Sequence, residues 1–518
     1  MRLHELLRGI RVERLPAEDP EVTGICHDSR RLAAGDLYAA IVGERYDGRR
    51  FAAQAAERGA VAVLGPGDPP AGLTLPWIRA GDPRRLLGPL AARLHGNPHD
   101  KLLMMGVTGT NGKTTVVALL ARIAAAAGRR AATLGTLGAR VLDDRGGDGR
   151  LDGAVGHLTT PEAPDLFRTL AAMRRDGVEA VAMEVSSHAL ELGRVAGVGF
   201  DVAVFTNLSQ DHLDFHPDLE SYFAAKRRLF DLRKAGGRAV VSLGDPWGRR
   251  LAAEIDGALT FGEVGEVAVQ RSELTLDGTR ARIATPRGVL AVESKLLGRF
   301  NLENLLAAVA AAEALELDHA AIAEGVARQR PLPGRLEPVD AGQEFPAFVD
   351  YAHTPAALEA VLRAVHDLSG RQVALVFGCA GDRDPGKRPL MGRIAGRWAE
   401  LPVVTSDNPR SEDPLEIMWA VETGLKESLA RPESGDELYR MIPDRREAIR
   451  RAVAVAKAAP ERWVVVVAGK GHEREQEVGG RRLPFSDREE LAAAIRESAV
   501  RESAVGDPAA VTTEADHG

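Results

Sequence analysis

Short apolar runs recur along the chain, each ending in glycine or polar residues and followed by a stretch with helical spacing. Residues 102–105 (LLMM), 180–183 (AVAM), 202–205 (VAVF), 373–377 (VALVF) and 463–467 (WVVVV) are continuous apolar segments of strand length. Runs without polar alternation indicate strands covered on both faces, as in a parallel sheet sandwiched by helices. Helical patterns lie between them, such as 116–123 after Lys113 and the Ala-rich segment beyond Asn301. This alternation predicts an α/β protein with mostly parallel sheets. It divides into a first α/β domain over residues 1–100, a central domain over 101–332 and a third, βαβ-patterned domain over 333–497. Residues 498–518, which begin in a repeated RESAV motif, are expected to form a disordered tail. Gly/Pro-rich residues 65–70 read as a loop and 96–100 as the linker into the central domain.

In open α/β sheets, ligands gather beyond the carboxyl ends of the strands. In the central domain those ends carry TGTNGKTT (108–115), EVSSH (184–188) and TNLSQDHLDFH (206–216), which should meet in one crevice. The third domain has four polar tips, VDYAHTP (349–355), GCAGDRD (378–384), SDNPR (406–410) and AGKGHE (468–473), which predict a second crevice.

The segment TGTNGKTT has the chemistry of a phosphate cradle. Backbone N–H groups of Gly109, Thr110, Asn111 and Gly112 and the following helix N-terminus face an anion, and Lys113 adds a positive charge. Thr114 is placed to ligate Mg²⁺, and Thr115 continues into the helix. The general P-loop pattern has glycine where this chain has Val107, so this is a tighter variant. Nucleoside triphosphate binding is predicted.

Composition narrows the class. A net charge of −7 argues against a nucleic-acid partner. Only Cys26 and Cys379 occur, without a CxxC pair, which argues against a disulfide framework and a thiolate zinc site and fits a reducing compartment. The N-terminus lacks a signal-peptide core and no run of apolar residues is long enough to span a membrane, so a cytoplasmic protein is expected. Asp28, Ser29 and Arg30 fit either an Asx-type turn or a polar socket for a ligand. Residues 143–152 read as a flexible polar loop leading to HLTTP (157–161). Asn301 reads as a helix N-cap, which leaves Asn304, one turn inside, without a structural explanation.

Taken together, TGTNGKTT, TTP (159–161), EVSSHAL (184–190), DHLDFH (211–216), the Asn301/Asn304 pair, PGRLE (333–337), DYAHTP, GDRDPGKR, DNPR and GKGHE resemble the Mur ligase family. The resemblance covers Thr23 to about Glu490. It implies a UDP-binding domain, a central ATPase domain and a C-terminal Rossmann-like domain. It also implies ATP-dependent amide formation through an acyl phosphate, in the synthesis of a peptidoglycan precursor. Lys113 is then the phosphate lysine, and Thr114, Glu184 and His212 resemble the Mg²⁺ shell. Lys226 reads by itself as an ordinary helix-surface lysine, but it matches the lysine that the family carbamylates. Asn304, Arg335 and Asp350 resemble nucleotide contacts, with His353 beside them. Ser29 resembles the uridine contact, and Thr159, Thr160, Ser186 and Arg194 resemble those that hold the muramoyl-dipeptide. The chain departs from some members at Leu192, where they carry Gln, and at 379–381, where glycines are more usual.

The same resemblance bears on the amino acid added. Family members that add meso-diaminopimelate carry DNPR, here Asp407, Asn408, Pro409 and Arg410. A guanidinium can hold the distal carboxylate of diaminopimelate in a bidentate fork and would repel the ammonium of lysine. Arg383, Asn408, Gly469 and Glu473 match the other contacts, with Glu473 suited to the distal ammonium. DNPR with GKGHE disfavours a lysine-adding member, a MurF-like member and a folylpolyglutamate synthase. A nucleotide switch would not need further substrate crevices, and a sugar-nucleotide binding module would leave the P-loop idle. The expected partners are the UDP-N-acetylmuramoyl-dipeptide, ATP and meso-diaminopimelate, acting on a monomer.

Overall fold

The computed structural model describes residues 1–43, 46–142, 148–151, 158–429 and 438–505. Three parallel or mostly parallel sheets follow one another along the chain. The first has four parallel strands in the order Gly24–Cys26, Asp36–Ala39, Ala62–Gly65 and Trp77–Arg79.

The second, eight-stranded sheet has the P-loop strand Leu103–Thr108 near its middle, between Phe200–Phe205 and Ala180–Glu184. Its register sets Val107 beside Glu184 and Thr108 beside Phe205, so the three polar tips leave the sheet at one level. Ala131–Gly135 pairs on the far side of Ala180–Glu184 and brings a fourth tip, Thr136, to the same edge. The helix Lys113–Ala126 covers one face through Val116, Leu119, Leu120 and Ile123, all buried. Most of the expected loop 143–152 lies outside the described residues, but Asp148–Arg150 is a strand antiparallel to Gly138–Leu142. A three-stranded antiparallel sheet, Ala268–Thr275, Gly278–Thr285 and Gly288–Ser294, adds an element that the sequence reading did not assign.

The third sheet has six strands, with Ala347–Asp350, Trp463–Ala468, Gln372–Phe377 and Leu401–Val404 parallel at its centre. Asp350 pairs with Ala468 and Phe377 with Val404, which again aligns the tips. The last helix, Asp487–Val505, continues through the RESAV repeat. The boundary of the tail at 497 is therefore too early, because this repeat extends the helix. Among the described residues no helix is long and apolar enough to cross a membrane.

Candidate active site

The tips of the second and third sheets enclose one continuous cavity of about 790 Å³, where the sequence suggested two crevices. They merge because the two domains face each other with the carboxyl ends of their strands.

On the phosphate side, Gly112 has φ +86°, and a Cβ there would lie 2.2 Å from Asn304 Oδ1. Glycine is required both by this backbone conformation and by the approach of Asn304. Asn304 Nδ2 donates to Asn301 Oδ1 at 3.0 Å, and Asn301 Nδ2 donates to the Leu297 carbonyl at 2.9 Å. Asn301 is therefore not the N-cap. Gly298, with φ +86°, precedes the helix Arg299–Ala314, and Asn301 reaches back from inside the first turn.

Lys113 Nζ donates to the carbonyls of Gly109 (2.8 Å) and Thr110 (2.9 Å), and Lys226 Nζ donates to the same Gly109 carbonyl at 2.8 Å. Lys226 is 1% exposed, so its reading as a surface lysine fails. It follows Tyr222 by one helical turn on the buried face, with Nζ 4.3 Å from that ring's centre. Burial pushes its pKa well below the ordinary lysine value, and Lys113 adds to the shift. Burial also lowers Lys113, against the opposing pull of Glu184 and Asp211.

Thr114 Oγ1 accepts from Arg335 Nη2 at 3.1 Å, a bond between the central and C-terminal domains. Glu184 is buried and accepts from the Thr136 backbone N–H (2.8 Å) and hydroxyl (3.1 Å). Thr136 had no role in the sequence reading; its signal was a threonine just beyond a strand-ending glycine. His212 sits at φ +55°, with Nε2 3.4 Å from Asp211. Burial outweighs Asp211 and pushes the imidazole down to about 3, so it is neutral at physiological pH. Its ring packs edge-on against His188, 4.8 Å between centres.

Among the described residues, no three His, Cys, Asp or Glu side chains form a ready-made metal cluster. The hydroxyl of Thr114, the carboxylate of Glu184 and the neutral imidazole of His212 nevertheless line the same cavity as the P-loop. The hydroxyl and carboxylate are oxygen donors of the kind Mg²⁺ takes together with phosphate oxygens and water, while the imidazole nitrogen of His212 is a softer donor than Mg²⁺ ordinarily selects.

From the C-terminal domain, Asp350 accepts the backbone N–H groups of Leu336 (2.6 Å) and Ala352 (2.7 Å). Its burial outweighs these bonds and Arg335, pushing the carboxyl up to about 6. Arg335 lies over the Tyr351 ring at 4.8 Å, and His353 Nδ1 donates to the Tyr351 carbonyl at 2.7 Å.

Among the residues expected to hold the dipeptide, Thr159, Ser186 and Arg194 line the cavity. Thr159 Oγ1 lies 3.2 Å from Thr136 Oγ1 and donates to it, since the Thr136 hydrogen goes to Glu184; Ser186 caps the helix Ser187–Glu191, and Arg194 Nε pairs with Glu162 at 2.8 Å. Thr160 is wholly buried and donates to the Glu184 carbonyl at 2.9 Å, so it supports this wall from behind. Leu192 ends the short helix beside it. Ser29 lies elsewhere, in the first domain, donating to Gln54 Oε1 at 2.8 Å. The Asx-type turn is formed there, with the Arg30 N–H on Asp28 Oδ1 at 3.0 Å.

Arg383, Asp407, Asn408, Arg410, Gly469 and Glu473 converge on the opposite wall. Pro409 is outside the lining; its carbonyl presses against Gly381, where a Cβ would sit 2.0 Å away. Arg410, at φ +54°, donates from Nη1 to the Gly381 carbonyl at 2.9 Å and pairs through Nε with Glu477 at 3.5 Å. Glu473 Oε2 accepts from Asn408 Nδ2 and from the fully buried Lys470, both at 2.8 Å. Lys470 lay inside the GKGHE motif but was assigned no role.

Three family models match the chain: the Mur ligase family catalytic domain over residues 21–93, the Mur ligase middle domain over 107–312, and the Mur ligase glutamate ligase domain over 334–471. A UDP-N-acetylmuramoyl-L-alanyl-D-glutamate–2,6-diaminopimelate ligase of Geobacter metallireducens is 43% identical over 96% of this chain and 99% of its own length. The chain belongs to the Mur ligase family. A second such ligase, from Geobacillus thermodenitrificans, is 43% identical over 92% of this Mur ligase and 96% of its own length. A solved structure of a ligase of the same name superposes with a TM-score of 0.66 at 32% identity, over 96% of this chain and 99% of that one.

Proposed function

We propose that this Mur ligase joins meso-diaminopimelate to the D-glutamate of UDP-N-acetylmuramoyl-L-alanyl-D-glutamate, converting ATP to ADP and phosphate. The observation that carries the reading is the shared cavity: the P-loop lies on one wall and the guanidinium groups of Arg383 and Arg410 on the other. An ATP-dependent amide bond needs an activated carboxylate and an amine in one enclosure.

The glutamyl carboxylate attacks the γ-phosphorus, the bond to ADP breaks, and an acyl phosphate forms. The amine of diaminopimelate then attacks the acyl carbon, phosphate leaves with the bonding electron pair, and the amine loses a proton. Two anions must approach each other in the first step, so positive charge at the P-loop lowers its barrier. Lys113 supplies that charge from the central domain and Arg335 from the C-terminal domain, as an arginine bonded to the P-loop threonine. Thr114, Glu184 and His212 would hold Mg²⁺, which supplies further charge neutralisation when bound.

Lys226 is buried with its amine driven toward the neutral form, the form that combines with CO₂. Its carbamate would be an anion able to hold a second Mg²⁺ beside the P-loop. Asn304, Asp350 and His353 are read as contacts on the nucleoside side, and Ser29 as the distant uridine contact. Because Arg335 and Asp350 belong to the C-terminal domain, apposition of the domains completes the ATP site and excludes water that would hydrolyse the acyl phosphate. Both cysteines are free thiols, and we place the reaction in the reducing cytoplasm.

Two arginines on the amine wall favour a dicarboxylic amino acid over lysine. Mass spectrometry of the UDP-linked product tests the reading. Addition of one diaminopimelate to the dipeptide is expected, and an unchanged dipeptide in the presence of ATP and Mg²⁺ overturns it.

A further inference from the structure

We infer that Asp214 of the central domain is a positioning residue for the amino-acid substrate, acting through Arg383 of the C-terminal domain. The inference rests on the proposed function, in which Arg383 receives a carboxylate of diaminopimelate. Arg383 Nη1 lies 3.2 Å from Asp214 Oδ2, and both residues line the cavity.

The backbone of the Arg383 loop is tied firmly within its own domain. The Gly381 N–H donates to the Asn408 carbonyl at 2.9 Å, and its carbonyl accepts from Arg410. Asp382, at φ +52°, accepts from the Ser411 hydroxyl and backbone N–H. None of these bonds reaches the Arg383 guanidinium. Among the described residues its hydrogen-bond partner is Asp214 alone. An unanchored arginine samples many rotamers, which must be frozen when a ligand binds. One carboxylate holding one corner of the fork removes that freedom and leaves the other N–H groups facing the cavity for a second carboxylate.

Asp214 is itself well placed for this task. The turn around it is closed by the N–H groups of Phe215 and His216, which both donate to the His212 carbonyl, at 3.1 and 2.9 Å. Phe215 stacks on His188 with 4.1 Å between ring centres, and His216 is buried. With its two followers packed inward, Asp214 is the member of the turn that reaches the other domain. The pair is partly exposed, with side chains 29% and 47% accessible, so it adds little to stability in screened solvent. Its consequence is geometric: the amine site of the C-terminal domain is finished by a carboxylate of the central domain, beside the residues that activate the acceptor.

Steady-state kinetics on Asp214→Asn, Asp214→Ala, Arg383→Ala and the double variant tests this. The expected result is a rise of roughly tenfold in KM for diaminopimelate in either Asp214 variant, with KM for ATP within about twofold. In the Arg383→Ala background the Asp214 substitution should add nothing, because its effect passes through the arginine. Equal effects with and without Arg383, a common rise in every KM, or an unchanged KM for diaminopimelate each overturn the inference while leaving the proposed function standing. Failure of the unaltered chain to use diaminopimelate overturns the proposed function, and this inference with it.

Discussion

Arg335 of the C-terminal domain donates to Thr114 of the P-loop at 3.1 Å, so the P-loop is tied to a second domain. Among the described residues its Nε is buried without a hydrogen-bond partner, and its guanidinium lies over Tyr351. A buried donor left unpaired in this position is suited to an anionic oxygen. Arg335→Ala should lower kcat/KM for ATP by about 10²–10³-fold, the range for a charge-stabilising donor. Arg335→Lys should recover little of it, since an ammonium cannot both stack and fork. Wild-type kinetics in either variant would remove Arg335 from the nucleotide site.

Lys226 yields a chemical prediction. A buried amine beside Gly109, with its pKa lowered by burial and by Lys113, should take up CO₂, giving a carbamate detectable by carbon NMR with labelled bicarbonate. Lys226→Ala should lose the signal and most turnover. Turnover at the wild-type rate in that variant would show that no carbamate is needed.

The carboxyl of Asp350 gives a pH-dependent prediction. Its value rises from 3.8 to about 6 in the folded chain, so the folded state binds more protons than the unfolded state between those limits. The stability it contributes is therefore full below pH 3.8 and is lost as pH rises through about 6. The expected loss is about 2–3 kcal/mol. Asp350→Asn should flatten this part of the stability profile, measured by denaturant unfolding from pH 4 to 7. An unchanged slope would assign it to other groups.

Much of this site was legible because parallel strands deliver their tips to one edge, and tips such as Lys113, Glu184 and Arg410 are separated by apolar runs that mark the strands. What depended on side-chain reach was not legible. Lys226 looked exposed because a lysine in a helix usually is; its burial follows from the approach of that helix to the P-loop. Asn301 looked like a cap because Gly298, whose left-handed backbone begins the helix, carries no side chain to signal it. Asp214 and Thr136 meet partners far along the chain, Arg383 for the first and Glu184 and Thr159 for the second, and no local spacing encodes those contacts.

Gly135 offers a test of how tightly Glu184 is held. A Cβ at this position would lie 2.3 Å from Glu184 Oε1. Gly135→Ala should displace the carboxylate, lowering turnover and raising the Mg²⁺ concentration needed for half-maximal rate. An unchanged Mg²⁺ dependence would mean that Glu184 does not serve the metal.

Phosphate release from ATP and Mg²⁺ with UDP-N-acetylmuramoyl-L-alanyl-D-glutamate, offered meso-diaminopimelate or L-lysine in parallel, probes the amine wall and the P-loop together. Release that depends on diaminopimelate and is at least about tenfold slower with lysine is predicted, because the proposed role of Arg383 and Arg410 is to bind a carboxylate, and their charge would repel an ammonium. Release driven equally well by lysine, or by neither amine, would contradict it.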